Sequence, residues 1–203
     1  MIADSHGSAL SLVKAIDALA GRNAEELIHL GDFFDSIYTR NISEVLSLLQ
    51  ENRIRTVKGN NDYQVEKMLD SGALHHSENP KDSCLAFLKE TPLLYGCGNA
   101  CFSHSMPFDT IRSFYEPIDI GTTDRAAEVF KNTSCQILYC GHSHRPVFFR
   151  YSRGKVSREK VAAGERIGIH PRERFIFIVG SAENGECGLY NTVESFYERI
   201  VFK

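Results

Sequence analysis

The chain has 203 residues, a formal net charge of −3 and an ordinary globular composition, 42% hydrophobic and 24% charged. Its length suits one well-buried core over residues 1–203 and is short for two. The net charge offers no general attraction to nucleic acid or to an anionic membrane, and no apolar run is long enough to span a bilayer. The opening MIADSHGSAL lacks the basic and apolar regions of a signal peptide, so a cytoplasmic location is expected.

In chain order, Ile2-Ala3 is the stub of a strand, and a helix from about Ser8 is expected to face inward through Leu10, Val13, Ile16 and Leu19. Leu27 to Leu30 reads as a buried strand, and Ile42 to Gln50 as a helix with Val45, Leu46 and Leu49 inward. A strand from Arg55 to Lys58 leads to a helix from about Asp62 to Asp70; 72–80 is loop, and Lys81 to Glu90 is helical until Thr91-Pro92 stops it. Strands at Ala100 to Ser103 and Gln136 to Cys140 flank a helix near Thr123 to Lys131. The remainder is β-rich, with strands at Val147 to Tyr151, Arg174 to Val179 and Ser195 to Phe202. The six cysteines contain no C-x-x-C pair and read as reduced structural thiols.

Five short motifs carry the chemistry: Asp4-Ser5-His6, Gly31-Asp32, Gly59-Asn60-Asn61-Asp62, His104, and Gly141-His142-Ser143-His144. Each follows an expected strand, which puts it at the strand edge where open α/β sheets bind ligands. Asp, Asn and His supply the oxygen and imidazole donors suited to Mn, Fe or Zn. On an extended backbone, D-x-H and H-x-H would each present two ligands on one face. A D-x-H match is expected by chance about 0.4 times in a chain of this composition, and G-H-x-H only about 0.02 times. The ordered set is therefore the signal, and no single motif is.

That set resembles the calcineurin-like metallophosphoesterases, whose pattern is D-x-H, G-D, G-N-H-[DE], H, G-H-x-H. Val179-Gly180-Ser181 is similar to a late segment of the bacterial members. Within the family, the chain looks most like the small bacterial phosphoesterases grouped with diadenosine tetraphosphatases. The resemblance implies an α/β (α+β) fold, a two-sheet β-sandwich flanked by helices in four layers. It also implies two divalent metal ions that hold a hydroxide and clamp a phosphoryl group. Asp4, His6, Asp32 and His144 would bind the first ion; Asp32, Asn60, His104 and His142 the second, with Asp32 bridging. Asp32, Asn61 and Asp62 are the expected catalytic group, acting on a phosphodiester, a nucleotide polyphosphate or a phosphomonoester. A small phosphorylated substrate is the expected partner, with no membrane and no nucleic acid; a non-catalytic interaction module on the same fold is the alternative.

Two positions depart from the family. Asn61 stands where many members carry a proton-donating His, and only Met1, Ile2 and Ala3 precede Asp4. Among the other polar residues, His29 and His170 read as structural, and His75 and His76 as solvated loop residues or alternative proton donors. Asp35 and Asp62 read as helix caps or as support for a neighbouring ligand. Arg145, Arg150, Arg153, Lys155, Arg158 and Lys160 read as a solvated hairpin or as a patch that attracts a polyanion.

Overall fold

The structure, a computed structural model, describes residues 1–39, 41–74, 81–108, 110 and 112–203. Its helices are α1 (Ala9–Ala20), α2 (Ile42–Glu51), α3 (Asn60–Asp70), α4 (Lys81–Glu90), α5 (Arg112–Tyr115) and α6 (Asp124–Asn132). Its strands are β1 (Ile28–His29), β2 (Arg55–Thr56), β3 (Leu94–Cys97), β4 (Ala100–Ser103), β5 (Ile137–Cys140), β6 (Val147–Ser152), β7 (Lys155–Lys160), β8 (Arg166–Gly168), β9 (Arg174–Ile178), β10 (Glu186–Asn191) and β11 (Phe196–Val201).

One sheet has the order β3-β4-β5-β9-β6-β7, with β4, β5 and β9 parallel. The opposite layer contains a parallel β1-β2 pair and an antiparallel β10-β11-β8 sheet. Residues Met1–Ala3 join these two pieces. The Ile2 N–H donates to the Ile28 carbonyl at 2.8 Å and the Leu30 N–H donates to the Ile2 carbonyl at 2.7 Å. On the other side, the Met1 amino group donates to the Gly188 carbonyl at 2.7 Å, and the Gly188 N–H returns a bond of 3.0 Å to the Met1 carbonyl. Three residues thus occupy the centre of this layer, the short strand expected from the sequence.

Alternation along the strands separates the three apolar interfaces. Ile137, Tyr139, Phe148, Phe175 and Phe177 point between the sheets, where they meet Met1, Ala3, Ile28, Leu30 and Val57. Their neighbours Leu138, Cys140, Val147, Phe149, Ile176 and Ile178 point outward, beneath α6. Helices α1 to α4 cover the other sheet layer through Leu12, Val45, Leu49, Val65 and Leu88. Three interfaces make four layers, as expected. The inner one is largely aromatic: Phe177 stacks on Tyr197 with centroids 4.3 Å apart and on Tyr139 at 5.4 Å.

Three expectations are corrected. The buried face of α1 is Ala9, Leu12, Ala15 and Leu19, and Leu10 is 65% exposed. The two alanines provide a flat surface on which the helix packs closely, an option hidden when only large apolar residues are counted. Strands β3, β7, β8 and β10 were not foreseen, because exposed or Gly-containing segments such as Leu94–Cys97 and Lys155–Lys160 lack an apolar alternation. Finally, Cys101 and Cys135 form a disulfide; they lie 34 residues apart in sequence, but adjacent strands bring their Cα atoms to 6.0 Å, within bridging range. The other four cysteines are free thiols. Among the described residues no helix is long and apolar enough to cross a membrane.

The corrected face of α1 gives a direct check by urea unfolding. Leu12→Ala should cost about 2–5 kcal/mol, as a core truncation does, whereas Leu10→Ala should change stability by less than about 0.5 kcal/mol. The reverse order would restore the face expected from sequence.

Candidate metal centre

The motif residues follow the C-terminal ends of Met1–Ala3, β1, β2, β4 and β5, in loops except for Asn60, Asn61 and Asp62, which form the first turn of α3, and all open on one edge of the sandwich. Their backbone is not extended. Asp4, His6, Asp32, His142 and His144 have φ of 53°, 44°, 54°, 73° and 56°. The i, i+2 residues therefore converge through left-handed turns, and not through the shared strand face expected from D-x-H and H-x-H. Left-handed backbone costs a non-glycine residue about 1–2 kcal/mol, and such strain collects where function requires it. Two glycines provide the necessary space. A Cβ on Gly59 would collide with Asp32 Oδ1, and one on Gly141 would stand 2.5 Å from Asp4 Oδ2.

All seven sequence-predicted ligands lie in one contiguous cluster. His6 Nε2 and His144 Nε2 are 3.1 Å apart, and His144 Nε2 is 3.4 Å from Asp4 Oδ1. Asp4, His6 and His144 form one group that could hold an ion, and Asp4, Asp32 and His104 form another, each within 4.8 Å. His104 Nε2 is 3.5 Å from Asp32 Oδ1, 3.1 Å from Asn60 Oδ1 and 3.0 Å from His142 Nδ1. His142 Nδ1 is in turn 3.0 Å from Asn60 Oδ1.

This donor set fits a divalent cation. His104 Nδ1 lies 2.9 Å from the Leu30 carbonyl, which can only accept, so the ring proton is at Nδ1 and Nε2 offers a lone pair. Asn60 Oδ1 faces only acceptors. Turning its amide over would satisfy the two rings without an ion, but it would do nothing for Asp4 Oδ1, a buried carboxylate oxygen that accepts no hydrogen bond. A buried, unbonded carboxylate oxygen is costly unless a cation faces it.

Electrostatics point the same way. Burial pushes the His142 imidazole down to about 4, with His104 adding repulsion, so it is neutral at ordinary pH. Burial also opposes charge on His104, but Asp32 and Asp4 outweigh it and raise the ring above its ordinary value. The contact with Asp4 raises His144. The carboxylates thus favour positive charge at both rings, and a bound cation would compete with the proton there.

Asp32 is tightly held. Its Oδ1 accepts from the Asn61 backbone N–H at 2.8 Å and its Oδ2 from the Asn61 side-chain amide at 2.7 Å, which leaves a lone pair on each oxygen. Asn61 Oδ1 accepts from the Ser36 backbone N–H at 3.2 Å and from its hydroxyl at 2.5 Å. Asp62 is fully buried and accepts backbone N–H bonds from Asp32 (2.7 Å), Phe34 (2.9 Å) and Gly59 (2.8 Å). It thus both caps α3 and fixes the Asp32 loop, joining the two roles between which the sequence did not choose. Burial and then Asp32 push its carboxyl up to about 8, against the pull of those backbone donors.

Sequence reasoning missed three supports. The Ser181 hydroxyl donates to the Asp4 carbonyl at 2.9 Å, Ser5 Oγ lies 3.0 Å from His29 Nε2, and Ser36 anchors Asn61. Only Ser181 left a trace, in the Val179-Gly180-Ser181 segment. Asp35 caps its own turn, accepting from the Ile37 N–H at 2.7 Å, and does not reach the cluster. His170 Nδ1 accepts from the Arg172 N–H at 3.2 Å, a local turn contact. His75 and His76 lie outside the described residues.

Comparison with known proteins agrees with this geometry. The family described as the calcineurin-like phosphoesterase superfamily domain matches residues 1–181. A metallophosphoesterase from Sphaerobacter thermophilus superimposes with a TM-score of 0.76 at 19% identity, covering 100% of this chain and 87% of that one. The Thermus thermophilus protein TT1561 gives 0.54 at 11% identity, covering 100% and 97%. A protein described as a candidate diadenosine tetraphosphatase gives 0.55 at 14% identity, covering 100% and 92%. At these identities the solved structures establish a shared fold. No curated protein matches the chain.

His29 yields a pH prediction. It is fully buried against Ser5, its Nδ1 has no partner, and burial holds the ring down from 6.5 to about 3. Between those values the unfolded chain binds a proton that the folded chain refuses, so stability falls as pH drops through this window. Urea unfolding from about pH 7 to about pH 4.5 should show a loss on the order of 2 kcal/mol that His29→Leu lacks. Equal slopes for the two proteins would mean that His29 is not the buried neutral group.

Proposed function

The chain belongs to the calcineurin-like phosphoesterase superfamily and is a phosphoester hydrolase, and from that premise we propose a dinuclear enzyme built on the seven clustered residues. Asp4, His6, Asp32 and His144 hold one divalent ion, and Asp32, Asn60, His104 and His142 the other. The buried Asp4 carboxylate, grouped with His6 and His144 on one side and with Asp32 and His104 on the other, supports this reading best. When bound, such an ion pair supplies Lewis-acid polarisation of a phosphoryl group and an activated water; Mn, Fe and Zn suit these ligands. The donor chemistry favours this reading over a non-catalytic module on the same fold, for which a packed apolar edge would serve as well. The whole chain, 1–203, acts as one domain. A cytoplasmic location is the expectation from sequence, but the Cys101–Cys135 bridge removes its support in reduced thiols.

The chain's own residues set the geometry. Asn61 spans Asp32 and Ser36 and so orients the bridging carboxylate, while Asp62 holds the backbone on which that carboxylate rides. Asp32→Asn should therefore cut turnover more than His6→Ala, which removes a ligand of one ion only. Steady-state assays of an aryl phosphate ester at saturating Mn check this, and near-full turnover by Asp32→Asn would refute the bridge.

Asn61 also limits the substrate. An amide cannot give up a proton at ordinary pH, and this one is already committed to Asp32. Phosphodiesters with aryl leaving groups and nucleotide polyphosphates should thus be preferred over alkyl monoesters, because general-acid help is worth about 10²–10⁴-fold. A plot of rate against leaving-group pKa should be steep for the wild type and shallower for Asn61→His. A flat wild-type plot would place a proton donor elsewhere.

A further inference from the structure

Beside the cluster lies a pocket of about 400 Å³ in which His144 forms one wall and Arg145, Arg158, Lys160 and Arg199 supply four cations. None of the side chains lining it is a carboxylate. Two of its cations are fixed and largely neutralised by their own partners. Arg158 donates to the Gly121 carbonyl at 3.1 Å and stands 3.9 Å from Asp119, and Arg199 donates to the Val161 carbonyl at 2.7 Å and pairs with Glu186. Arg145 and Lys160 are exposed and pair with no carboxylate among the described residues. In a chain of net charge −3, two uncompensated cations at the rim of a carboxylate-free pocket amount to a local anion site. A guanidinium suits phosphate oxygens in particular, binding them through parallel N–H bonds.

We propose that this pocket binds a second phosphoryl group, so that the substrate is a phosphoanhydride or polyphosphate with one phosphoryl at the histidine cluster and the next against Arg145 and Lys160. The assignment rests on the hydrolase reading of the adjoining site. His144 belongs to both, so neighbouring phosphoryl groups of one chain would fall one on each side of it. A monoester with a single phosphoryl group would leave the pocket unused.

Two measurements test this. In the first, inorganic tripolyphosphate is titrated calorimetrically into metal-free protein, so that the result does not depend on turnover. Wild type should bind, Arg145→Gln/Lys160→Gln should bind roughly tenfold more weakly or worse, and Lys160→Arg should bind like wild type. Equal binding by wild type and the double variant, or no binding by wild type, would overturn the pocket. Adenosine triphosphate is run alongside; binding that requires the nucleoside and ignores both substitutions would also overturn it. The second measurement takes the ratio of kcat/KM for adenosine triphosphate to that for an aryl phosphate monoester, in metal-loaded enzyme. The double variant should lower this ratio roughly tenfold, and an unchanged ratio would count against the pocket. Failure of the wild type to hydrolyse either compound would reject the hydrolase reading and leave calorimetry to decide the pocket.

Discussion

The Asp32 carboxylate is the group on which the rest of the site depends. Both of its oxygens are fixed by Asn61, its backbone N–H is fixed by Asp62, and Gly59 leaves the space into which it fits. A carboxylate so constrained beside Asp4 and Asp62 gathers three acidic groups in a buried place. Burial of like charges is unfavourable, and the raised Asp62 carboxyl registers that cost directly. The arrangement makes physical sense once positive charge sits at its centre. That requirement unites the buried Asp4 and Asp32 carboxylates with the upward pull they exert on His104 and His144.

Backbone strain is part of the same design. Five of the seven proposed ligands adopt left-handed backbone, which L-residues avoid. Three of these distortions are held by hydrogen bonds to neighbouring segments. The His142 N–H donates to Asp4 Oδ2 at 2.9 Å, the His6 N–H to the Asp32 carbonyl at 3.0 Å, and Ser181 to the Asp4 carbonyl. The sandwich acts as a jig: parallel strands end at one level, and tight turns aim short side chains at a common point. Short side chains with few rotamers lose little entropy when fixed in this way.

The aromatic interior keeps that level constant. Phe102, Tyr139, Phe177 and Tyr197 stack across strands that end near His104 and His142. Rings stacked in this way resist sliding of one strand past another, because a shift that loses one contact loses several. Register between β4, β5 and β9 therefore becomes register between ligands. The Cys101–Cys135 bridge ties the opposite end of the same two strands, β4 and β5.

The sequence by itself determined the ordered donor set, the strand-then-loop placement of each motif and the layered α/β character. Each of these is written locally, as an apolar run followed by Gly and a metal-binding side chain. It also marked His29 as structural, which agrees with its burial against Ser5. Only the tertiary structure decided what depends on residues distant in the chain. The inward face of α1 was set by alanines whose value lies in what packs against them. The convergence of Asp4 with His6 came from left-handed turns that no spacing rule encodes. The Asp32 and Phe34 N–H bonds to Asp62, the Cys101–Cys135 contact and the gathering of Arg145, Lys160 and Arg199 around one pocket join segments distant in the chain. Local pattern fixes which chemistry each segment carries, and long-range packing fixes which segments meet.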